Sequence, residues 1–387
     1  MSKPINTNQN SPYTAVVFRG RRFKSWLSTF LCDTSNIQYI KALGLSLNGP
    51  KIDSYEIELC TKTKNKPGRF WLSKWFRKQM TIMQFNWCYK FLNKSSAQVL
   101  ILWNGTKGSP RIFAETAKKL GKTIIFVEGG MVPGRLTLDS KGIHYGSSLP
   151  RTIDFYYNWA KNHNGNQTKW RTLIKDLTAR SAKARKDIVH LPATEELKQQ
   201  NFIFCPLQEP GDSQVTIYGG WAKSVDNMIN VLHEAAKSLP DNWHLRIKEH
   251  PSAQIKDSFK TKLKQLEGDK FKLDNSTSTL DLMALSQGVI NINSSVGLQS
   301  FFYDKPVIVL GKASYGIKEL VYLIEDIKDL KKLLASPQTL KINTKARNAY
   351  MSYITEEYYP KPKDLANGSF NIKHLFKRDK IHLSETL

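Results

Sequence analysis

The stretch Gly288–Leu310, GVININSSVGLQSFFYDKPVIVL, decides how the fold is read. Its two ends, Gly288–Ile292 (GVINI) and Pro306–Leu310 (PVIVL), are short apolar runs rich in β-branched residues, the mark of strands buried on both faces. Between them Asn293-Ser294-Ser295 ends the first run, and a helix is expected to begin at Val296-Gly297-Leu298. The same alternation extends outward. Tyr13–Phe18 (YTAVVF), Gln98–Trp103 (QVLILW), Thr123–Val127 (TIIFV), Phe202–Cys205 (FIFC) and Leu245–Lys248 (LRIK) read as further buried strands. Ile112–Leu120, Val225–Leu239, Ser258–Leu266 and Thr279–Leu285 carry apolar residues near the helical period. Strand and helix alternating in both halves predict an α/β protein with parallel sheets covered on both faces.

The alternation lapses between Arg151 and Ala193, a basic stretch without strand character, and resumes at Phe202. This places a domain boundary near residue 190. The expected division is 1–190, 191–350 and a helical or irregular tail, 351–387. Two Rossmann-like domains facing a cleft are the architecture this predicts.

The chain of 387 residues is 40% hydrophobic, which suits folded domains and excludes both a small binding module and a disordered chain. Its formal charge of +25 points to an anionic partner, whether nucleic acid, acidic membrane or acidic substrate. Cys32, Cys60, Cys88 and Cys205 form no CxxC pair, so neither a disulfide framework nor a zinc site is expected. The polar start, MSKPINTNQN, does not read as a signal peptide, and no run approaches the roughly 18 apolar residues of a membrane span. A cytoplasmic protein, peripheral to a membrane, is the expectation.

Four strand ends carry candidate chemistry. The first is Glu128-Gly129-Gly130, after the run Thr123–Val127. Residues beyond the carboxyl end of a strand line the ligand crevice of an α/β sheet; alternatively, Glu128 caps a turn. The second is FIFCPLQEPGDSQV, Phe202–Val215, where Pro210-Gly211 forces a turn ahead of Asp212. A pair of carboxylates suits glycosyl transfer, one attacking or stabilising the sugar carbon and the other taking the acceptor's proton. An N-cap role for Asp212 is the plainer alternative. The third is Lys248-Glu249-His250-Pro251, whose histidine and lysine can donate to a phosphate, or else serve the fold. The fourth is Asn293-Ser294-Ser295, where hydroxyls and backbone N–H groups suit an anion and equally cap a helix. No Walker loop and no GxGxxG is present.

Lys62–Lys78, KTKNKPGRFWLSKWFRK, interleaves cations with aromatic rings. That mixture suits an anionic bilayer, a solvated helix with one packed aromatic face, or single-stranded nucleic acid. No RNP, KH, zinc-finger or helix-turn-helix signature supports the nucleic-acid option, and no nucleic-acid partner is expected.

Taken in order, EGG, GIHYGSSLPR, LQEPGDSQV, KEHP and NSSVGLQSFFYDKPVIVLGKASY resemble the bacterial capsule-polysaccharide synthesis family of KpsC/KpsS-type β-Kdo glycosyltransferases, over about Ile124–Tyr315. The length is similar to that of the single-module KpsS type. The resemblance implies a GT-B-like architecture, with CMP-Kdo as donor, an N-terminal acceptor domain and a C-terminal nucleotide-sugar domain. It implies Asp212 as the nucleophile of a retaining double displacement and Glu128 as the base for the acceptor hydroxyl. His250, Pro251, Ser294 and Ser295 would contact the CMP phosphate and ribose, with Lys248 and Asn293 beside the donor. Arg135 and Arg151 are candidates for the sugar carboxylate. The scheme demands no metal or other cofactor. The partners it implies are an anionic lipid or glycan acceptor, the inner-membrane surface and other capsule assembly proteins. Rival expectations are transfer of another CMP-sugar, such as sialic acid, and a non-catalytic polysaccharide- or lipid-binding partner of an export complex.

Overall fold

The computed structural model describes residues 14–385 apart from 20–22, 24, 33–36, 63–70, 164, 179–187 and 254–256, and omits the side chains of residues 59, 62 and 71–74. The chain forms two compact units. One comprises residues 1–130, 134–150 and 355–387, the other 131–133 and 151–354.

The first unit holds a five-stranded sheet: β1 (Ala15–Phe18), β2 (Ile37–Ile40), β3 (Val99–Trp103), β4 (Thr123–Gly129) and β5 (Leu136–Asp139), in the order β2-β1-β3-β4-β5. The first four run parallel, but β5 pairs antiparallel with β4, with Glu128 opposite Thr137. The alternation of each strand sorts the core into two layers. Val16, Phe18, Leu100, Leu102, Ile124 and Phe126 face the helices Gly108–Lys119 and Trp71–Lys94. Val17, Val99, Ile101, Ile125 and Val127 face the other way, onto Phe23, Trp26, Leu27, Phe30 and Leu31 and onto Leu365, Ile372, Leu375 and Phe376.

The C-terminal residues are therefore not a tail. Helix Ile372–Ser384 supplies the second cover of the first sheet. A polar cluster fastens it. Asp379 accepts from the Ser140 N–H (2.7 Å) and pairs with Arg378, whose guanidinium also donates to the Leu138 and Tyr358 carbonyls. Asp139 accepts from Tyr358 Oη at 2.9 Å and from Ser148 Oγ at 2.8 Å.

The second unit holds six parallel strands: β6 (Asn201–Pro206), β7 (Trp243–Lys248), β8 (Phe271–Leu273), β9 (Gly288–Asn291), β10 (Val307–Val309) and β11 (Tyr322–Leu323), in the order β11-β10-β9-β6-β7-β8. Ile203, Cys205, Leu245, Ile247, Ile290 and Ile308 pack on helix Val225–Ala236. Phe202, Phe204 and Val289 pack on Leu282 and Met283.

All seven strands and four helices read from the sequence are present, and both sheets are α/β as expected. The division is not at residue 190. Residues 151–176 pack into the second unit, where Tyr156 meets Tyr350 (4.8 Å between ring centroids), Phe155 meets Tyr353 (5.0 Å) and Trp170 meets Phe302 (5.3 Å). Charge and missing strands hid this, because the burial here is helical and aromatic. No helix among the described residues is long and apolar enough to cross a membrane.

Candidate functional site

In the second unit the chain grows outward from β6 in two directions, β7 and β8 on one side, β9, β10 and β11 on the other. The order reverses between β6 and β9. Loops leaving the carboxyl ends of strands on either side of such a point diverge, and the crevice they leave is where open α/β sheets bind ligands. Two of the four motifs, LQEPGDSQV and NSSVG, leave β6 and β9 at this point, and KEHP leaves the adjacent β7.

Gln208 and Asn293 tie the two loops together. Gln208 Nε2 donates to Asn293 Oδ1 (3.0 Å), and the Asn293 N–H donates to Gln208 Oε1 (3.1 Å). The Asn293 amide nitrogen also reaches the carbonyls of Gln214 (2.8 Å), Tyr218 (3.1 Å) and Lys312 (3.2 Å). At 2% exposure, with its amide engaged on both atoms, Asn293 braces the site and does not face the donor. The sequence expectation for it is corrected accordingly. Gln208 went unread, because its partner is 85 residues away.

Asp212 caps the helix Ser213–Tyr218, its Oδ1 accepting from the Gln214 N–H at 2.9 Å. The capping alternative is therefore real. It does not use the whole carboxylate. Oδ1 alone takes these bonds, none of the described residues bonds Oδ2, and the residue is half-buried.

His250 is half-buried in the turn after β7, and its Nδ1 accepts the Ser252 N–H at 3.2 Å. In the neutral ring this leaves the proton on Nε2, a donor suited to an anion. Pro251 holds the turn, which the Ala253 N–H closes onto the His250 carbonyl (3.1 Å). Glu249, buried, exchanges two hydrogen bonds with Asn275, at 3.0 and 2.8 Å, and so pins the turn beside β8.

Lys248 is a second correction. It alternates with Ile247, which sits in the core layer, so its side chain enters the opposite face. There Nζ donates to the Thr277 carbonyl (2.8 Å) and contacts that of Val189 (3.4 Å), and burial lowers its pKa to about 8. It is a strut, not an anion ligand.

Ser294 caps the short helix Ser295–Gln299, Oγ accepting the Val296 N–H (3.2 Å). Its N–H donates to Asn291 Oδ1 (2.7 Å) and its carbonyl accepts the Tyr315 hydroxyl (2.6 Å). Burial raises the Tyr315 pKa, which keeps that hydroxyl a donor. A side chain on Gly297 would overlap the Tyr315 hydroxyl and the Asn291 amide, so this turn requires glycine. Ser295 opens the helix and is half-exposed.

Glu128 lies in the first unit, at the carboxyl end of β4, half-buried. It accepts from Asn104 Nδ2 at 2.7 Å. Asn104 itself takes a left-handed backbone (φ +65°) after β3, and its Oδ1 accepts from the Thr106 N–H (3.0 Å) and hydroxyl. The strained Asn104 turn thus aims the amide at Glu128, a relation spacing did not reveal.

The two arginines named for the sugar carboxylate each bond a backbone carbonyl. Arg135 Nη1 donates to the Tyr359 carbonyl (2.9 Å) and is partly desolvated, which lowers its pKa. Arg151 Nη1 donates to the Ser314 carbonyl (2.7 Å). Each serves backbone of its own unit, and they lie in different units. Asp212, His250, Ser294 and Ser295 are what the second sheet gathers along one edge.

Residues 161–325 match the family described as Capsule polysaccharide biosynthesis protein. The chain is 30% identical over 274 residues to Protein FixF of Sinorhizobium fredii, covering 70% of this chain and 61% of that protein. It therefore spans about three fifths of this relative's length. It is 22% identical to the capsule polysaccharide export protein KpsS of Escherichia coli, over 56% of this chain and 68% of that one. Among solved structures, the β-Kdo 2,7 transferase KpsC of Thermosulfurimonas dismutans aligns at 14% identity and a TM-score of 0.47, over 93% of this chain and 99% of that chain. Over residues 161–325, then, the chain is similar to the capsule polysaccharide biosynthesis family that its motifs resemble.

Proposed function

We propose that the protein is a glycosyltransferase of capsule polysaccharide biosynthesis that moves Kdo from CMP-Kdo to a lipid or glycan acceptor, working in the cytoplasm at the inner face of the membrane. The observation that carries this reading is the gathering of Asp212, His250 and Ser294 at the carboxyl edge of β6, β7 and β9, around the Gln208–Asn293 brace.

In this reading His250 Nε2–H and the Ser294 and Ser295 groups donate to the phosphate oxygens of the donor, stabilising charge as it develops on departing CMP. Asp212 attacks the anomeric carbon of Kdo as the bond to the phosphate oxygen breaks. The electron pair leaves with CMP. Glu128 takes the proton of the acceptor hydroxyl, which then attacks the same carbon and displaces Asp212, so two inversions give net retention. No metal enters the scheme.

The test is CMP release from CMP-Kdo and, in parallel, from CMP-sialic acid, with lysophosphatidylglycerol as acceptor, in wild type and Glu128→Gln. Acceptor-dependent release from CMP-Kdo, reduced ~100-fold or more in the variant, is the expected result. Release from the sialic acid donor alone would reassign the sugar, and binding of neither nucleotide would end the transferase reading.

A further inference from the structure

Helix Trp71–Lys94 buries one stripe, Thr81, Phe85, Cys88 and Leu92, at the spacing of a packed helical face. Counting 100° per residue, Phe76, Met83 and Trp87 point the opposite way, and Trp75 and Asn86 share a line on the flank. The loop Gly44–Gly49 lies across the far end of this outer face. Gly44 abuts the Trp87 ring, Gly49 abuts Asn86, the Ser46 N–H donates to the Met83 carbonyl (3.0 Å), and Asn86 Nδ2 donates to the Leu47 carbonyl (3.1 Å). Both glycines allow that approach, since a side chain at either would collide.

The result is an apolar surface with two ends. Trp75 and Phe76 stand 56% and 59% exposed at one end, and Leu45 and Leu47 stand 47% and 81% exposed at the other. Trp75 and Asn86 are eleven helical steps apart, about 16 Å at 1.5 Å per residue. The charges on the helix itself are of one sign. By the same count Lys90 and Lys94 fall on the outer face and Arg77 and Lys78 flank the buried stripe, and the helix carries no Asp or Glu.

We propose that this face docks the protein on an anionic lipid bilayer. Trp75 and Phe76 place rings at the acyl boundary, and exposed Lys90 and Lys94 on the outer face of the same helix offer cations to the headgroups. Two leucines held on a loop over the same helix face extend the contact beyond one helical turn. An acidic peptide would satisfy the cations but leave four large exposed apolar side chains in water. The inference deepens the membrane association proposed above and rests on it only there, because lipid binding is read without any sugar donor.

The experiment is co-sedimentation of the full chain with vesicles of phosphatidylcholine alone or mixed with phosphatidylglycerol. Binding to the mixed vesicles and not the neutral ones is expected, with a ~10-fold loss in Trp75→Ala/Phe76→Ala at unchanged thermal unfolding. A second variant, Leu47→Asp, on the other end of the face, is expected to weaken binding as well. Equal binding by all three proteins overturns the proposal. So does a wild-type dimer, dissociated by Trp75→Ala/Phe76→Ala, that ignores vesicles, since the face then belongs to a second copy. Transferase chemistry is untouched by either failure.

Discussion

Gln208 and Asn293 exchange two hydrogen bonds, 3.0 and 3.1 Å, between the loops that leave β6 and β9. Because Asn293 also serves three backbone carbonyls, its removal strands several buried polar groups at once. Asn293→Ala is predicted to cost about 2–4 kcal/mol in urea unfolding. Gln208→Ala, which leaves those three carbonyls served, is predicted to cost less.

Asp212 has a structural duty that a suitable substitution separates from chemistry. Asn caps helices about as well as Asp, so Asp212→Asn is predicted to stay within a few tenths of a kcal/mol of wild type, and Asp212→Ala to lose about 1 kcal/mol. Calorimetry on both variants checks this. If Asp212→Asn were as unstable as Asp212→Ala, loss of turnover in either could not be assigned to the carboxylate.

Lys248 makes stability depend on alkaline pH. Its pKa falls from 10.5 in the unfolded chain to about 8 in the folded protein, because burial disfavours the ammonium. Between those values the unfolded state binds more protons, so this group's contribution rises with pH from about 8 to 10.5 and is lost as pH falls through 8. Lys248→Met is predicted to lack that rise. The measurement is the difference in unfolding free energy between the two proteins across this window.

The C-terminal helix is predicted to hold the first unit together. Ser148 has one hydroxyl proton; donating it to Asp139 Oδ2 leaves its oxygen to accept from His382 Nδ1 at 2.9 Å, so His382 is protonated at that nitrogen. Asp379→Ala removes the carboxylate paired with buried Arg378 and the acceptor of the Ser140 N–H. A loss of about 3–5 kcal/mol is expected, with early proteolysis within Ile372–Ser384 as the readout.

What could be read from sequence follows burial. The seven strands it revealed include every interior strand, β1, β3, β4, β6, β7, β9 and β10, each carrying apolar side chains to both faces. The four it missed, β2, β5, β8 and β11, are the edges of the two sheets, two to four residues long. Half-paired and mostly part-exposed, such strands need no apolar run. At the site, strand ends were legible because Pro and Gly punctuate them, but the destinations of side chains were not. Lys248 belonged to the face of His244 and Arg246, which strict alternation in β7 already implied. The partners of Asn293, Arg135 and Arg151 are backbone carbonyls remote in the chain, and no local pattern announces those.

The most direct test of the central claim is a search for Kdo on Asp212. Wild type, Glu128→Gln and Asp212→Asn are incubated with CMP-Kdo, with and without lysophosphatidylglycerol as acceptor, quenched in acid, digested and analysed by mass spectrometry of the peptide containing Phe202–Val215. The account predicts a Kdo ester on Asp212, more abundant in Glu128→Gln when acceptor is supplied and absent from Asp212→Asn. Turnover of CMP-Kdo by Asp212→Asn at the wild-type rate, with no adduct in any protein, would contradict it.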